Sequence, residues 1–167
     1  MSSWMHKLFG GALVALLIAG VGCPAIADPP KPDSPGTSED PDYRAAVKAI
    51  EARNFAAAIP LLEGVVARDG KNADAYNWLG YAVRRNGDPK RAIPIYEKAL
   101  AIDPKHRGAH EYIGEAYLLL DDVAKAKEHL AVLGKLCFLP CEQYSDLKKA
   151  VEAYEKSGGK TKPRAEN

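Results

Sequence analysis

One spacing governs this chain: small residues return every 34 positions. Ala58, Ala92 and Ala126 form one such series, and Ala46, Gly80 and Gly114 form another. Apolar residues keep step with them at Leu62, Tyr96 and Leu130, and at Val65, Ala99 and Leu133. Even the tripeptide Ala58-Ile59-Pro60 recurs as Ala92-Ile93-Pro94. A period of about 20–50 residues marks stacked units, each too small to bury its apolar face alone. Inside each unit the apolar residues follow helical spacing, interrupted at Arg53-Asn54, Asn86-Gly87-Asp88 and Asp121-Asp122. The pattern predicts pairs of antiparallel helices. The small residues belong where the two axes approach most closely. Tyr76, Leu79, Tyr96, Ile113, Tyr117 and Leu130 fill the space between them. Pro60 and Pro94 fall at the same place in two units and are expected to bend their helices locally without ending them.

The middle unit, Ala73 to His106, carries a recognisable pattern. Tyr76, Leu79, Gly80, Val83, Ala92, Tyr96, Ala99 and Pro104 stand where the tetratricopeptide repeat has Trp-x2-Leu-Gly-x2-Tyr, then Ala-x3-Phe, then Pro, and the chain resembles that family from about Glu39 to Pro140. Tyr76 takes the place of the family's Trp, and Val83 that of its Tyr. The resemblance implies an all-α fold, a right-handed superhelical stack of three helix hairpins at about 39–72, 73–106 and 107–140. A further amphipathic segment, with Tyr144, Leu147, Ala150, Val151 and Tyr154 on one face, is expected to cap the stack over 142–157. Asp40 followed by Pro41 is helix-start chemistry, so the repeat domain is expected over 41–157.

The ends read differently. Lys7 precedes an apolar run from Leu8 to Val21, and Ala25-Ile26-Ala27 supplies a small-residue cleavage site, so residues 1–27 read as a secretory signal cut after Ala27. The run is short for a membrane span. Cys23, after Gly20-Val21-Gly22, leaves lipidation open, which would anchor the protein to a membrane. Residues 28–40, rich in Pro, Ser and acid, are expected to form a disordered linker, and residues 158–167 a disordered tail. Lys7 is the only charged side chain before Asp28. The formal net charge of +1 therefore belongs to the signal, leaving 22 basic and 22 acidic residues after it. A neutral domain lacks the basic excess that nucleic acid demands. Periplasmic or secreted residence is expected, with no nucleic-acid partner and no membrane partner unless the signal is retained or Cys23 is lipidated.

Cys137 and Cys141 bracket a turn that contains Pro140. In an oxidising compartment their spacing predicts a disulfide, with a redox pair or a copper site as the alternatives. His110-Glu111 begins a zinc-type His-Glu-x-x-His pattern, but Gly114 stands where the second histidine belongs. No metal, cofactor or enzymatic activity is expected, since no nucleophile elbow or phosphate-cradling loop occurs. Stacked repeats create a concave surface for extended ligands. The resemblance places its lining on the first helix of each pair. The first unit offers Tyr43, Val47 and Ile50. The second offers Asp74, Asn77, Tyr81, Arg84 and Arg85, and the third Glu111, Glu115, Leu118 and Leu119. This lining suits a protein or peptide segment with apolar and charged anchors. The expected function is an exported interaction module, an adaptor or assembly factor. A metal or thiol-redox factor using Cys137 and Cys141 and a lipid-anchored envelope component are the other readings.

Overall fold

The computed structural model describes residues 39–139 and 141–159. Within them lie seven α-helices and no strand: α1 (Pro41–Glu51), α2 (Phe55–Arg68), α3 (Ala73–Arg85), α4 (Pro89–Ile102), α5 (Arg107–Leu119), α6 (Val123–Leu136) and α7 (Glu142–Lys156). The expected signal with Cys23, nearly all of the linker, Pro140 and the tail from Lys160 lie outside the described residues. Among the described residues, no helix is long and apolar enough to cross a membrane.

The turns dictate where helices start. Asp40, Asn54, Asn72, Asp88 and Asp122 each stand one residue ahead of a helix and accept a backbone N–H from its first turn. Such caps satisfy donors that the helix leaves open and contribute about 1 kcal/mol each. His106 does the same for α5 through Nδ1. Of the seven, α7 alone has no side-chain cap, with Cys141 in the cap position.

The period reaches into the backbone as well. Within each hairpin one residue turns left-handed, Arg53 at φ 59°, Gly87 at 95° and Asp121 at 61°. The next residue then returns its N–H to the preceding helix, Asn54 to Ala49, Asp88 to Val83 and Asp122 to Tyr117, closing each helix end. Only the middle unit uses glycine for this conformation, the residue that adopts it without steric cost.

Each helix packs on the next, so α1/α2, α3/α4 and α5/α6 form hairpins, with the second helix of one pair lying against the first helix of the following pair. Ala46, Ala58, Ala92 and Ala126 are fully buried at the crossings. At Gly80 a Cβ would stand 2.7–2.9 Å from three ring atoms of Tyr96, so the α3–α4 approach excludes any side chain there. The third unit departs from the expected arrangement. A Cβ on Gly114 would meet Leu147 of α7 at 2.6 Å, while Leu130, expected to fill that space, is only partly buried. The cap helix packs along α5 as well as α6 and inserts a fully buried Leu147 at the place that Tyr96 occupies one unit earlier. Leu130 is too short to span the gap that the Tyr96 ring spans. α2 and α4 run unbroken through Pro60 and Pro94, which lie on exposed sides.

Candidate binding groove

The first helices of the three pairs, α1, α3 and α5, stand side by side, α3 touching both of the others. On them Tyr43, Asn77, Tyr81, Arg84, Glu111 and Leu118 are buried, whereas Val47, Arg85 and Glu115 are half-buried. Tyr81 belongs to the core, edge-on to Phe55, Trp78 and Tyr112 at centroid distances of 6.1, 6.1 and 5.1 Å. The Arg85 guanidinium lies over the rings of Phe55 and Tyr81 and donates to the Tyr81 hydroxyl at 2.9 Å.

Arg84 is held internally. Its guanidinium is 2.8 Å from a Glu115 carboxylate oxygen, with side-chain exposures of 7% and 15%, and sits over the faces of Tyr81 and Tyr112. Its Nε donates to the Tyr96 hydroxyl at 3.4 Å. Burial is the largest single influence and works against the guanidinium charge, but Glu115, Tyr96 and Tyr81 together outweigh it and leave the Arg84 pKa above its usual value. Burial likewise pushes the Tyr96 hydroxyl up. This ion pair bridges α3 and α5, so it fixes the spacing of two inner helices.

Glu111 and Asn77 occupy the same register on those two helices, 34 residues apart, and both are acceptors without a donor. The Glu111 side chain is 4% exposed and has neither a hydrogen bond nor an ion pair, and the Asn77 Oδ1, on a residue 2% exposed, is buried without a hydrogen bond. Burial pushes the Glu111 carboxyl up to about 9, with further contributions from Glu115 and from Asp146 of α7, only partly offset by Arg84. Between pH 4.5 and 9 the folded chain holds a proton on Glu111 that the unfolded chain has released, so stability falls as pH rises through that window. Glu111→Gln is therefore expected to raise stability by about 1–2 kcal/mol at pH 8 and to leave it unchanged at pH 4. Urea unfolding at the two pH values checks this; equal effects at both would refute it.

Two histidine arrangements stand beside the groove. His106 Nδ1 accepts the Ala109 N–H at 3.2 Å, so Nε2 carries the proton and donates to Asp74 Oδ1 at 3.1 Å, a pair only 4% exposed on either side. It ties the start of α3 to the start of α5. His110 Nε2 donates to the Pro104 carbonyl at 3.1 Å, leaving Nδ1 to accept from Nδ1 of His129 at 2.9 Å. His129 also stacks on Tyr117, with ring centroids 5.8 Å apart. Burial, then the His110 ring, lowers the His129 pKa to about 4, and burial lowers that of His110. The unfolded chain thus binds protons first as pH falls from 6.5 toward 4, and this contribution to stability is lost over that window. The difference in stability between the protein and His129→Gln is expected to shrink by about 1–2 kcal/mol between pH 7 and pH 4, after allowing for screening at a partly exposed ring. A difference independent of pH would remove the argument.

Sequence reasoning missed these three pairings, Arg84–Glu115, Asp74–His106 and His110–His129. One signal was available: His110 stands 34 residues after Tyr76, at the family's Trp position, which is a core position. Among the described residues no group of three or more His, Cys, Asp and Glu side chains could hold a metal ion.

The tetratricopeptide-repeat pattern matches residues 43–107, and a second form of the same pattern matches 83–136, so together they span residues 43–136, more than half of the chain. The chain belongs to the tetratricopeptide-repeat family. Repeats of this family serve as protein–protein interaction modules and are generally not catalytic. Among solved structures, residues 41 to the end of MamA from Desulfovibrio magneticus share 29% identity over 57% of this chain, with a TM-score of 0.55. This chain spans about half the length of that protein, 54% of it. The type III secretion translocator chaperone SycD of Yersinia enterocolitica covers 70% of this chain and 91% of its own at 18% identity and a TM-score of 0.64. PcrH, solved in complex with the chaperone binding region of PopD, covers 70% of this chain and 90% of its own at 17% identity and a TM-score of 0.63. The latter two show the shared helical-repeat fold. No curated protein matches the chain.

Proposed function

We propose that this chain is an exported interaction module that holds an extended or helical segment of a partner protein against α1, α3 and α5, acting as a periplasmic adaptor or assembly factor and performing no chemistry. One observation carries the reading. The core positions repeat from unit to unit, whereas one register position on the inner helices changes from Tyr43 to Asn77 to Glu111. Packing alone would repeat there too; varied chemistry on a fixed frame is what recognition of one segment requires. PcrH in complex with a segment of PopD, and SycD with a peptide of YopD, lend the reading support as peptide complexes on a similar fold.

The same reading includes a disulfide between Cys137 and Cys141. Their Cα atoms are 5.8 Å apart, within the span that such a bond bridges. Cys137 stands in register with Asp69 and Asp103, whose side chains close the two earlier turns by accepting the amides of Lys71 and Lys105. A sulfur–sulfur bond supplies the closure that cysteine cannot make as an acceptor. Export, cleavage after Ala27 and the unlipidated state of Cys23 are parts of the proposal that the intact mass of the protein from the cell envelope decides.

The binding test places a photo-crosslinking amino acid at Val47 on α1 or at exposed Lys98 on α4, in cells. Crosslinks to a defined partner are expected from position 47 and not from 98. Equal capture from both, or capture from 98 alone, would sink the groove reading.

A further inference from the structure

The groove holds two hydrogen-bond acceptors that the protein itself leaves unanswered. Glu111 on α5 and Asn77 on α3 stand at equivalent positions on neighbouring inner helices; the Asn77 Oδ1 is fully buried without a hydrogen bond, and Glu111, on a residue 4% exposed, makes no hydrogen bond or ion pair. Buried polar atoms are nearly always paired, because an unmade bond costs the full desolvation of the group. The nearest cation cannot answer them. Arg84 lies 2.8 Å from a Glu115 oxygen and over the rings of Tyr81 and Tyr112, and its Nε donates to the Tyr96 hydroxyl. The other charges bearing on Glu111 are acidic, with Glu115 on the same helix and Glu142 and Asp146 on α7. Lys149 pairs with Asp146 on the exposed face of α7. With Arg84 set against Glu115 and Lys149 against Asp146, neither cation is left for Glu111 or Asn77.

We propose that this is a cation-recognition site within the groove, in which Glu111 and Asn77 together accept hydrogen bonds from a guanidinium or ammonium group of the bound protein segment. The inference rests on the groove reading above and adds the chemistry of one anchor. An arginine or lysine side chain brings several N–H donors on one planar or tetrahedral head, enough to serve acceptors on two helices at once. A carboxylate of the partner would meet the negative charges of Glu142 and Asp146 and find neither Arg84 nor Lys149 free to pair with it. Binding of a cation favours the ionised form of Glu111, so the protein should release a proton as the complex forms near neutral pH.

A displayed library of random dodecapeptides, panned on the purified protein and on Glu111→Gln, tests this. The glutamine variant keeps the size and shape of the side chain and is expected to fold at least as stably, which thermal unfolding verifies. Peptides enriched on the protein are expected to share an arginine or lysine at one fixed position. Exchanging that arginine for citrulline, or that lysine for norleucine, should weaken binding about tenfold or more in the protein and less than about twofold in Glu111→Gln. Calorimetry in two buffers of different ionisation enthalpy should show proton release that the variant lacks. Enriched peptides without a fixed cation, or an equal effect of the exchange in both proteins, would overturn the cation site while leaving the groove reading standing. Absence of any enriched peptide would overturn both.

Discussion

Replacing Arg84 with alanine is expected to destabilise the protein by about 3–5 kcal/mol, the range for removing one partner of a buried ion pair. The guanidinium is 7% exposed, and its loss leaves the Glu115 carboxylate without its cation and the Tyr96 hydroxyl without its donor. It also opens a void beside the rings of Tyr81 and Tyr112, over which the guanidinium lies. At this size the melting temperature should drop by about 10–20 °C. Removing Glu115 charge in the same chain, as Arg84→Ala with Glu115→Gln, should recover part of the loss, because a neutral amide is cheaper to bury than an uncompensated carboxylate. The exposed pair of Arg91 with Glu63, at 2.7 Å, provides the contrast, and Arg91→Ala should be close to neutral since both side chains are about half exposed. Equal melting temperatures for the two variants would show that the Arg84 pair is not the strut described here. Loss of binding in an Arg84 variant would therefore report collapse of the frame, so groove tests belong at Val47, Asn77 and Glu111.

Gly80→Val should cost about 3 kcal/mol, and Gly114→Val should cost less. At Gly80 a new Cβ meets Cδ1, Cε1 and Cζ of Tyr96 within 2.9 Å, and that ring is fully buried with its hydroxyl against Arg84. An aromatic ring cannot bend aside, so the α3–α4 crossing must open. At Gly114 the obstructing atoms are the methyl ends of Leu147, which can change rotamer, although they are fully enclosed. The pair Gly114→Val with Leu147→Ala should recover stability relative to Gly114→Val alone, since the second change vacates the volume that the first fills. Urea unfolding of the three variants beside the parent protein checks both statements. If the double variant is no better than Gly114→Val, α7 does not pack on α5 as described.

The hairpins were legible because close helix crossings admit only small side chains, and such crossings recur wherever the unit recurs. Ala58, Ala92 and Gly80 therefore announced both the helices and their partners. The turn chemistry was legible for the same reason, since Asn54, Asp88 and Asp122 cap their helices through local bonds that need no distant residue. Leu147 was harder. Its amphipathic pattern marked α7 as a cap, but not that it would take the position opposite Gly114 in place of Leu130. That choice depends on how far α7 swings across α5. The candidate groove was legible as a set of positions and not as a set of roles. Its members were read as one lining, whereas Tyr81 and Arg84 are built into the frame and Asn77 and Glu111 are left unanswered.

What the sequence determined by itself was everything that repeats: the number of helix pairs among the described residues, their turns, and the small residues at their crossings. These are contacts within one unit, set by spacing along a single hairpin. What the tertiary structure alone decided was which side chains of one helix hairpin meet those at the start of, or within, the next. Arg84 finds Glu115, Asp74 finds His106, and Asn77 and Glu111 find no donor. Those outcomes depend on the rotation of one hairpin against the next, which summed packing across the stack sets and no local pattern encodes.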